Sequence, residues 1–68
     1  MSDYEMAAWA ELDAAADWCA ARGFTGGVGT PRPHGLSVGA SALVDDDPDA
    51  FAERVREHAY ARAMEGWS

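Results

Sequence analysis

The 68-residue sequence contains no lysine, no isoleucine and only one cysteine, and these absences exclude several classes of protein. One cysteine cannot form a disulfide framework or a cysteine-based zinc site, so we expect a cytoplasmic chain. No apolar run approaches the roughly 18 residues that a membrane-spanning helix needs. Residues 1–5 are acidic, so we expect neither a secretory signal nor a transit peptide.

Positive charge is scarce as well, because five arginines stand against twelve carboxylates and the net charge is −7. Such a chain lacks the basic surface that phosphate binding requires, so we expect no direct binding to DNA or RNA. Its charge favours a basic protein surface as partner. The charge is segmental: residues 1–22 and 45–68 are acidic, whereas residues 23–44 hold one arginine and no acid.

Large aliphatic side chains are few, which limits the core that the chain can build. A domain of this size buries only about 60% of its unfolded surface. A cofactor pocket of about 300 Å³ or more would hollow out that core. We therefore expect one small acidic domain over residues 1–68, without a cofactor and without enzymatic activity.

Two segments have the pattern of amphipathic helices. Residues 3–22 are rich in alanine, with Ser2 as the predicted cap and Gly23 after the last turn. The second helix is predicted from Asp47, its N-cap, to Gly66. The predicted inner faces are Tyr4, Ala8, Leu12, Ala15, Ala16 and Cys19 in the first helix and Phe51, Ala52, Val55, Ala59 and Ala63 in the second.

The segment between these helices predicts a β-hairpin. Residues 24–30 have the composition of a short, glycine-weakened strand, and residues 36–44 alternate with a period of two. Pro31 and Pro33 are assigned to the turn, since neither fits a central strand. The predicted fold class is α+β, helix–strand–strand–helix, with both helices packed on a two-stranded antiparallel hairpin.

The sequence contains only incomplete motifs for metal binding, phosphate binding or catalysis. Asp45, Asp47 and Asp49 have the spacing of the first EF-hand ligands, but the glycine and glutamate that must follow are missing, so we predict no metal site. The glycines of residues 26–29 precede no helix N-terminus that could bind phosphate. Other nucleophile or base candidates are Cys19, His34 and His58. They share no local catalytic motif and no third orienting group, so we predict no catalytic residue.

Aspartates are expected to form an acidic surface on the folded domain. Asp47 is assigned to helix capping, and the predicted partner-binding residues are Asp45, Asp46, Asp49, Asp13, Asp17 and Asp3. One interpretation is a solvated face that keeps an alanine-rich domain in solution. The other is a docking face for a basic, nucleic-acid-binding partner.

Aromatic and methionine side chains exceed what a two-helix core needs. Tyr60, Met64 and Trp67 form a second stripe on the second helix, and Trp9 and Trp18 add to the surplus. These residue types are enriched in the cores of protein interfaces. They predict either a thickened core or an interface.

In length, acidity and lack of catalytic motifs, the chain resembles small phage-encoded inhibitors of bacterial defence, the anti-CRISPR and anti-restriction class. The residues that carry this resemblance are Asp3, Asp13, Asp17, Asp45, Asp46, Asp47 and Asp49. The resemblance implies a stoichiometric DNA mimic that blocks a basic nucleic-acid-binding complex, such as a CRISPR effector. The alternative is a small interaction module or accessory subunit, monomeric or homodimeric through Tyr60, Met64 and Trp67.

Overall fold

The computed structural model describes residues 3–66, and these residues form three helices. The helices are α1 (Asp3–Ala21), α2 (Val38–Asp46) and α3 (Pro48–Glu65). Residues 22–37 connect α1 to α2, and Asp47 alone separates α2 from α3. The described residues contain no strand, so the α+β prediction with its antiparallel hairpin is wrong and the fold is all-helical. None of the three helices is long and apolar enough to cross a membrane.

Helix α2 replaces the second predicted strand. Its N-cap is Ser37, whose hydroxyl oxygen accepts a hydrogen bond from the backbone N–H of Ala40 at 3.3 Å. Ala40 and Val44 are buried and Leu43 packs beside them, whereas Val38 is exposed. A period of two separates Leu43 from the other apolar residues, while a helical period puts all three on one side.

Residues 24–30, the first predicted strand, belong to the loop. The backbone has positive φ angles at Gly23 (90°) and Gly26 (79°), which are turn conformations that glycine adopts readily. Gly26 is buried against α3, where a Cβ atom would overlap the carbonyl oxygen of Ala52 and lie 2.8 Å from the backbone nitrogen of Arg56. Glycine at this position therefore lets the loop touch the backbone of α3.

Helix α1 ends where the sequence predicts, in a Schellman motif. The backbone N–H of Gly23 donates to the carbonyl oxygen of Ala20 at 3.0 Å, and that of Phe24 donates to Cys19 at 3.2 Å. These bonds satisfy carbonyl groups that the last turn of a helix leaves without a partner.

Both predicted ends of α3 are confirmed. The carboxylate of Asp47 accepts a hydrogen bond from the backbone N–H of Ala50 at 3.1 Å, and Pro48 occupies the first turn. The helix ends at Glu65, and Gly66 is its C-cap.

The core lies between the three helices. It consists of Ala8, Leu12, Ala16 and Cys19 from α1, Ala40 and Val44 from α2, and Phe51 and Val55 from α3. Leu12 and Val55 have the central positions, with 1% and 0% of their surface exposed. Of the predicted inner faces, Tyr4 and Ala63 are exposed instead. Burial of a leucine or valine contributes about 1.5–3 kcal/mol, so these few side chains hold the fold together.

Candidate functional site

Two aspartates, two arginines and a histidine join α1 to α3 along one edge of the core, and we call this set the α1–α3 ladder. Its members are Asp13 and Asp17 from α1 and Arg54, His58 and Arg62 from α3. Arg54 Nη1 lies 2.6 Å from Asp13 Oδ1. Arg62 donates to both carboxylate oxygens of Asp17, through Nε at 3.1 Å and Nη2 at 2.9 Å. His58 lies between them, with Nε2 3.7 Å from Asp13 Oδ1 and Nδ1 3.4 Å from Asp17 Oδ1.

The ladder pairs two of the predicted partner-binding carboxylates within the chain. Asp13 and Asp17 are about half exposed, at 50% and 48%, yet each has an arginine partner. The Arg62 guanidinium hydrogen-bonded to Asp17 holds the pKa of that carboxyl below its usual value, although partial burial opposes the shift. Arg54 also lies over the ring of Trp9, 4.4 Å from its centre. These two carboxylates therefore stabilise the packing of α1 on α3.

The four aspartates of the α2–α3 turn have separate surroundings. Asp45 Oδ1 lies 2.6 Å from Arg32 Nη1 in an exposed ion pair. Asp47 caps α3, as described above. Asp46 and Asp49 are exposed and have no ion pair within residues 3–66. Of the three carboxylates of the turn that were assigned to partner binding, Asp46 and Asp49 are thus unpaired and Asp45 is not.

The longest row of unpaired carboxylates follows α3. Asp49, Glu53 and Glu57 are four residues apart and exposed, and none has an ion pair in the described part of the chain. At about 100° per residue, Tyr60 and Met64 return to the same side of the helix. These two side chains are 68% and 54% exposed. We call these five residues the outer face of α3.

Sequence reasoning missed Glu53 and Glu57 because it grouped acids by their position in the chain and not by helical face. The sequence did contain the signal, since Asp49, Glu53 and Glu57 are spaced by four residues and therefore lie on one side of a helix. Of the other predicted residues, Asp3 is exposed in the first turn of α1, on a different helix, and Trp67 lies outside the described residues.

The candidates for covalent or acid–base chemistry have three different surroundings. Cys19 is fully buried, and this burial raises the pKa of its thiol. His34 is exposed in the loop, and His58 belongs to the α1–α3 ladder. Residues 3–66 contain no group of three or more histidine, cysteine or acidic side chains that could hold a metal ion.

No protein-family model matches the chain, and no curated protein or solved structure matches it. Among the surfaces of this molecule, the outer face of α3 combines unpaired charge with exposed apolar area.

Proposed function

We propose that this chain is a non-enzymatic cytoplasmic protein that binds a basic, nucleic-acid-binding protein complex and blocks its DNA site. The outer face of α3 makes the contact. The observation that carries the proposal is the row of Asp49, Glu53 and Glu57, exposed and without ion pairs in residues 3–66. Elsewhere, Asp13, Asp17 and Asp45 are already paired with arginines of the same chain.

The row has the chemistry that a phosphate-binding surface recognises. Carboxylates four residues apart on a helix are about 6 Å apart along its axis. An arginine or lysine that binds phosphate oxygens can donate the same charge-assisted hydrogen bonds to carboxylates. Repulsion within the row is relieved when a basic surface covers it, so docking gains attraction and removes repulsion together.

Tyr60 and Met64 extend the row with apolar surface. Tyrosine and methionine are enriched in the buried centres of interfaces, where they supply contact area that charges cannot. We expect the carboxylates to accelerate association and make binding salt-sensitive, and the two apolar side chains to slow dissociation. A CRISPR effector or a restriction complex is the partner class that the resemblance to small phage inhibitors implies.

The test is displacement of DNA. Purified CRISPR effector and restriction complexes are bound to labelled target DNA, and the chain is titrated in at about 50 mM and about 300 mM salt. We expect at least one complex to release its DNA, with inhibition at least about tenfold weaker at high salt, because screening weakens charge pairing. No release from any complex at either salt concentration would contradict the proposal.

A pair of matched variants assigns the effect to α3. Glu53→Gln with Glu57→Gln removes two charges from the outer face of α3. Ala7→Lys with Ala10→Lys changes the net charge equally at two exposed positions of α1. We expect the first variant to lose most of its inhibition and the second to keep it. Equal inhibition by both variants would mean that net charge, not this face, determines binding.

Exposed Tyr60 and Met64 also favour a second candidate, a homodimer or accessory subunit joined through this aromatic stripe. Sedimentation equilibrium separates the two candidates. A dimer that persists at high salt and dissociates in Tyr60→Ser would support the second candidate, whereas a monomer over the whole concentration range would exclude self-association.

A further inference from the structure

A groove of about 770 Å³ lies between the C-terminal half of α1 and residues 31–36 of the loop. It uses no residue of α3, so it is separate from the proposed protein-binding face. Its apolar walls are formed by Ala15, Trp18, Phe24, Pro31, Pro33 and Leu36. Sites for small ligands are typically about 300–1,000 Å³ and mostly apolar, with a few polar groups that fix orientation. The groove fits this description in size and lining.

The apolar walls of the groove are anchored on the core. Phe24 and Leu36 are partly buried and pack against the core cluster. Phe24 is also held in place by its hydrogen bond to the end of α1. Trp18, by contrast, is 50% exposed at the rim. A flat, half-exposed indole beside two supported apolar side chains provides a surface on which a planar ring can stack.

Arg22 provides a cation at the same rim. In a chain with twelve acids, it has no carboxylate partner within residues 3–66. Its guanidinium lies 3.5 Å from the centre of the Trp18 ring, and its Nη1 donates to the Trp18 carbonyl oxygen at 3.3 Å. A guanidinium has five N–H donors, so several stay available to an incoming anion.

The other charged groups of the lining leave Arg22 as the cation that an anion can reach. Arg32 and His34 belong to the loop wall of the groove, and Arg32 is already paired with Asp45. Glu11 is the one acid in the lining, and its Oε2 accepts the backbone N–H of Ser37 at 2.8 Å. The groove therefore combines apolar walls with one arginine, Arg22, that has no carboxylate partner within residues 3–66.

We propose that this groove binds a small aromatic carboxylate of one or two rings. The ring stacks beside Trp18 and rests on Phe24 and Leu36, and the carboxylate accepts hydrogen bonds from Arg22. Charge-assisted hydrogen bonds from a guanidinium to a carboxylate are among the stronger polar contacts in proteins. The proposal does not depend on the outer face of α3 and can succeed or fail independently of it.

The test compares two ligands with the same ring system on the full chain. Naphthalene-2-carboxylate and its neutral analogue 2-naphthylmethanol are titrated while backbone and indole N–H signals are followed by NMR. We expect binding of one molecule per chain, with the largest shifts at the Trp18 indole and at the amides of Gly35 and Leu36. We expect the carboxylate to bind about tenfold more tightly than the alcohol, because only the carboxylate engages Arg22.

A matched pair of variants identifies the cation. Arg22→Gln should reduce the preference for the carboxylate to less than about threefold, since the amide carries no charge. Arg56→Gln changes the net charge equally but lies outside the groove, and should keep the preference. Equal affinity for the two ligands, shifts centred on Tyr60 and Met64, or no shifts at millimolar ligand would overturn the proposal. If Arg22→Gln fails to fold, the comparison of the two ligands on the unmodified chain still tests whether the groove prefers a carboxylate.

Discussion

Two rows of carboxylates in this molecule have the same spacing along their helices and opposite surroundings. In the α1–α3 ladder, the two aspartates of α1 face Arg54, His58 and Arg62 of α3, which are also spaced by four residues, and each aspartate is paired with one of the arginines. On the outer face of α3, the three carboxylates have no helix opposite them and no ion pair in the described residues.

Spacing along a helix therefore produces a row of charge, and the neighbouring helix determines whether that charge is available to a partner. A net charge of −7 does not distinguish the two rows. The ladder aspartates contribute to the packing of α1 on α3, and the carboxylates of the outer face are exposed to solvent.

Substitutions in the core beneath the ladder should lower the free energy of unfolding far more than substitutions on the outer face of α3. Leu12→Ala should lower the free energy of unfolding by about 2–5 kcal/mol, because it leaves a cavity at the centre of the core. Met64→Ala, on the outer face, should change it by no more than about 0.5 kcal/mol. Urea unfolding followed by circular dichroism measures both. Similar effects of the two substitutions would contradict the assignment of inner and outer faces.

The loop beside α3 should tolerate a methyl group at one glycine and not at its neighbour. Gly26→Ala should cost about 1–3 kcal/mol, because its Cβ atom would overlap the backbone of α3. Gly27 has open space around the same atom and no positive φ angle, so Gly27→Ala should be close to neutral. Thermal melting of both variants makes the comparison. A melting temperature of Gly26→Ala equal to that of the unmodified chain would refute the close approach of this loop to α3.

Acid should weaken the ladder through Asp17. The pKa of Asp17 lies below its ordinary value of 3.8 in the folded chain, because Arg62 hydrogen-bonds to the ionised form. The stabilising effect is therefore fully present above pH 3.8 and is lost as the pH falls through the lowered pKa. Carboxyl NMR titration should show this low pKa, and Arg62→Gln should return it towards the ordinary value. An Asp17 pKa unchanged in Arg62→Gln would contradict the ion pair.

Removing charge from the outer face of α3 should increase the free energy of unfolding, whereas removing charge from the ladder should decrease it. Glu53 and Glu57 repel each other at a separation of four residues, a cost of about 0.2–0.5 kcal/mol in helices. Glu53→Gln with Glu57→Gln should therefore raise the stability slightly, whereas Asp17→Asn should lower it. Parallel urea titrations at low salt are the measurement. Destabilisation by the double glutamine substitution would indicate a partner for these carboxylates within the chain.

The two long helices could be predicted because their local signals agree. Alanine content, the cap at Asp47, the glycine after α1 and the apolar periodicity all indicate the same boundaries. Helix α2 could not be predicted in this way. Its nine residues are mostly small, and small residues alternate with apolar ones in a pattern compatible with either period. The competing signal was Ser37, a strong N-cap residue placed directly before the helix.

The candidate site was predicted only in part, for a tertiary reason. The acidity of the α2–α3 turn follows from the sequence, and so does the capping role of Asp47. That Asp13 and Asp17 are paired depends on the orientation of α3 against α1, which places Arg54 and Arg62 opposite them. Contacts between residues more than forty positions apart are not encoded in local spacing.

Cys19 turns the interior of this small protein into a kinetic probe. Its thiol is fully buried between the helices, and its burial raises the thiol pKa. A thiol reagent can therefore react only in molecules that have opened, and the labelling rate at a known pH reports how often opening occurs. The chain needs no engineered label for this measurement. Labelling rates of the variants described above would therefore measure how each substitution changes the openings that expose α1. Openings confined to the loop or to the end of α3 leave Cys19 buried and would not change the rate.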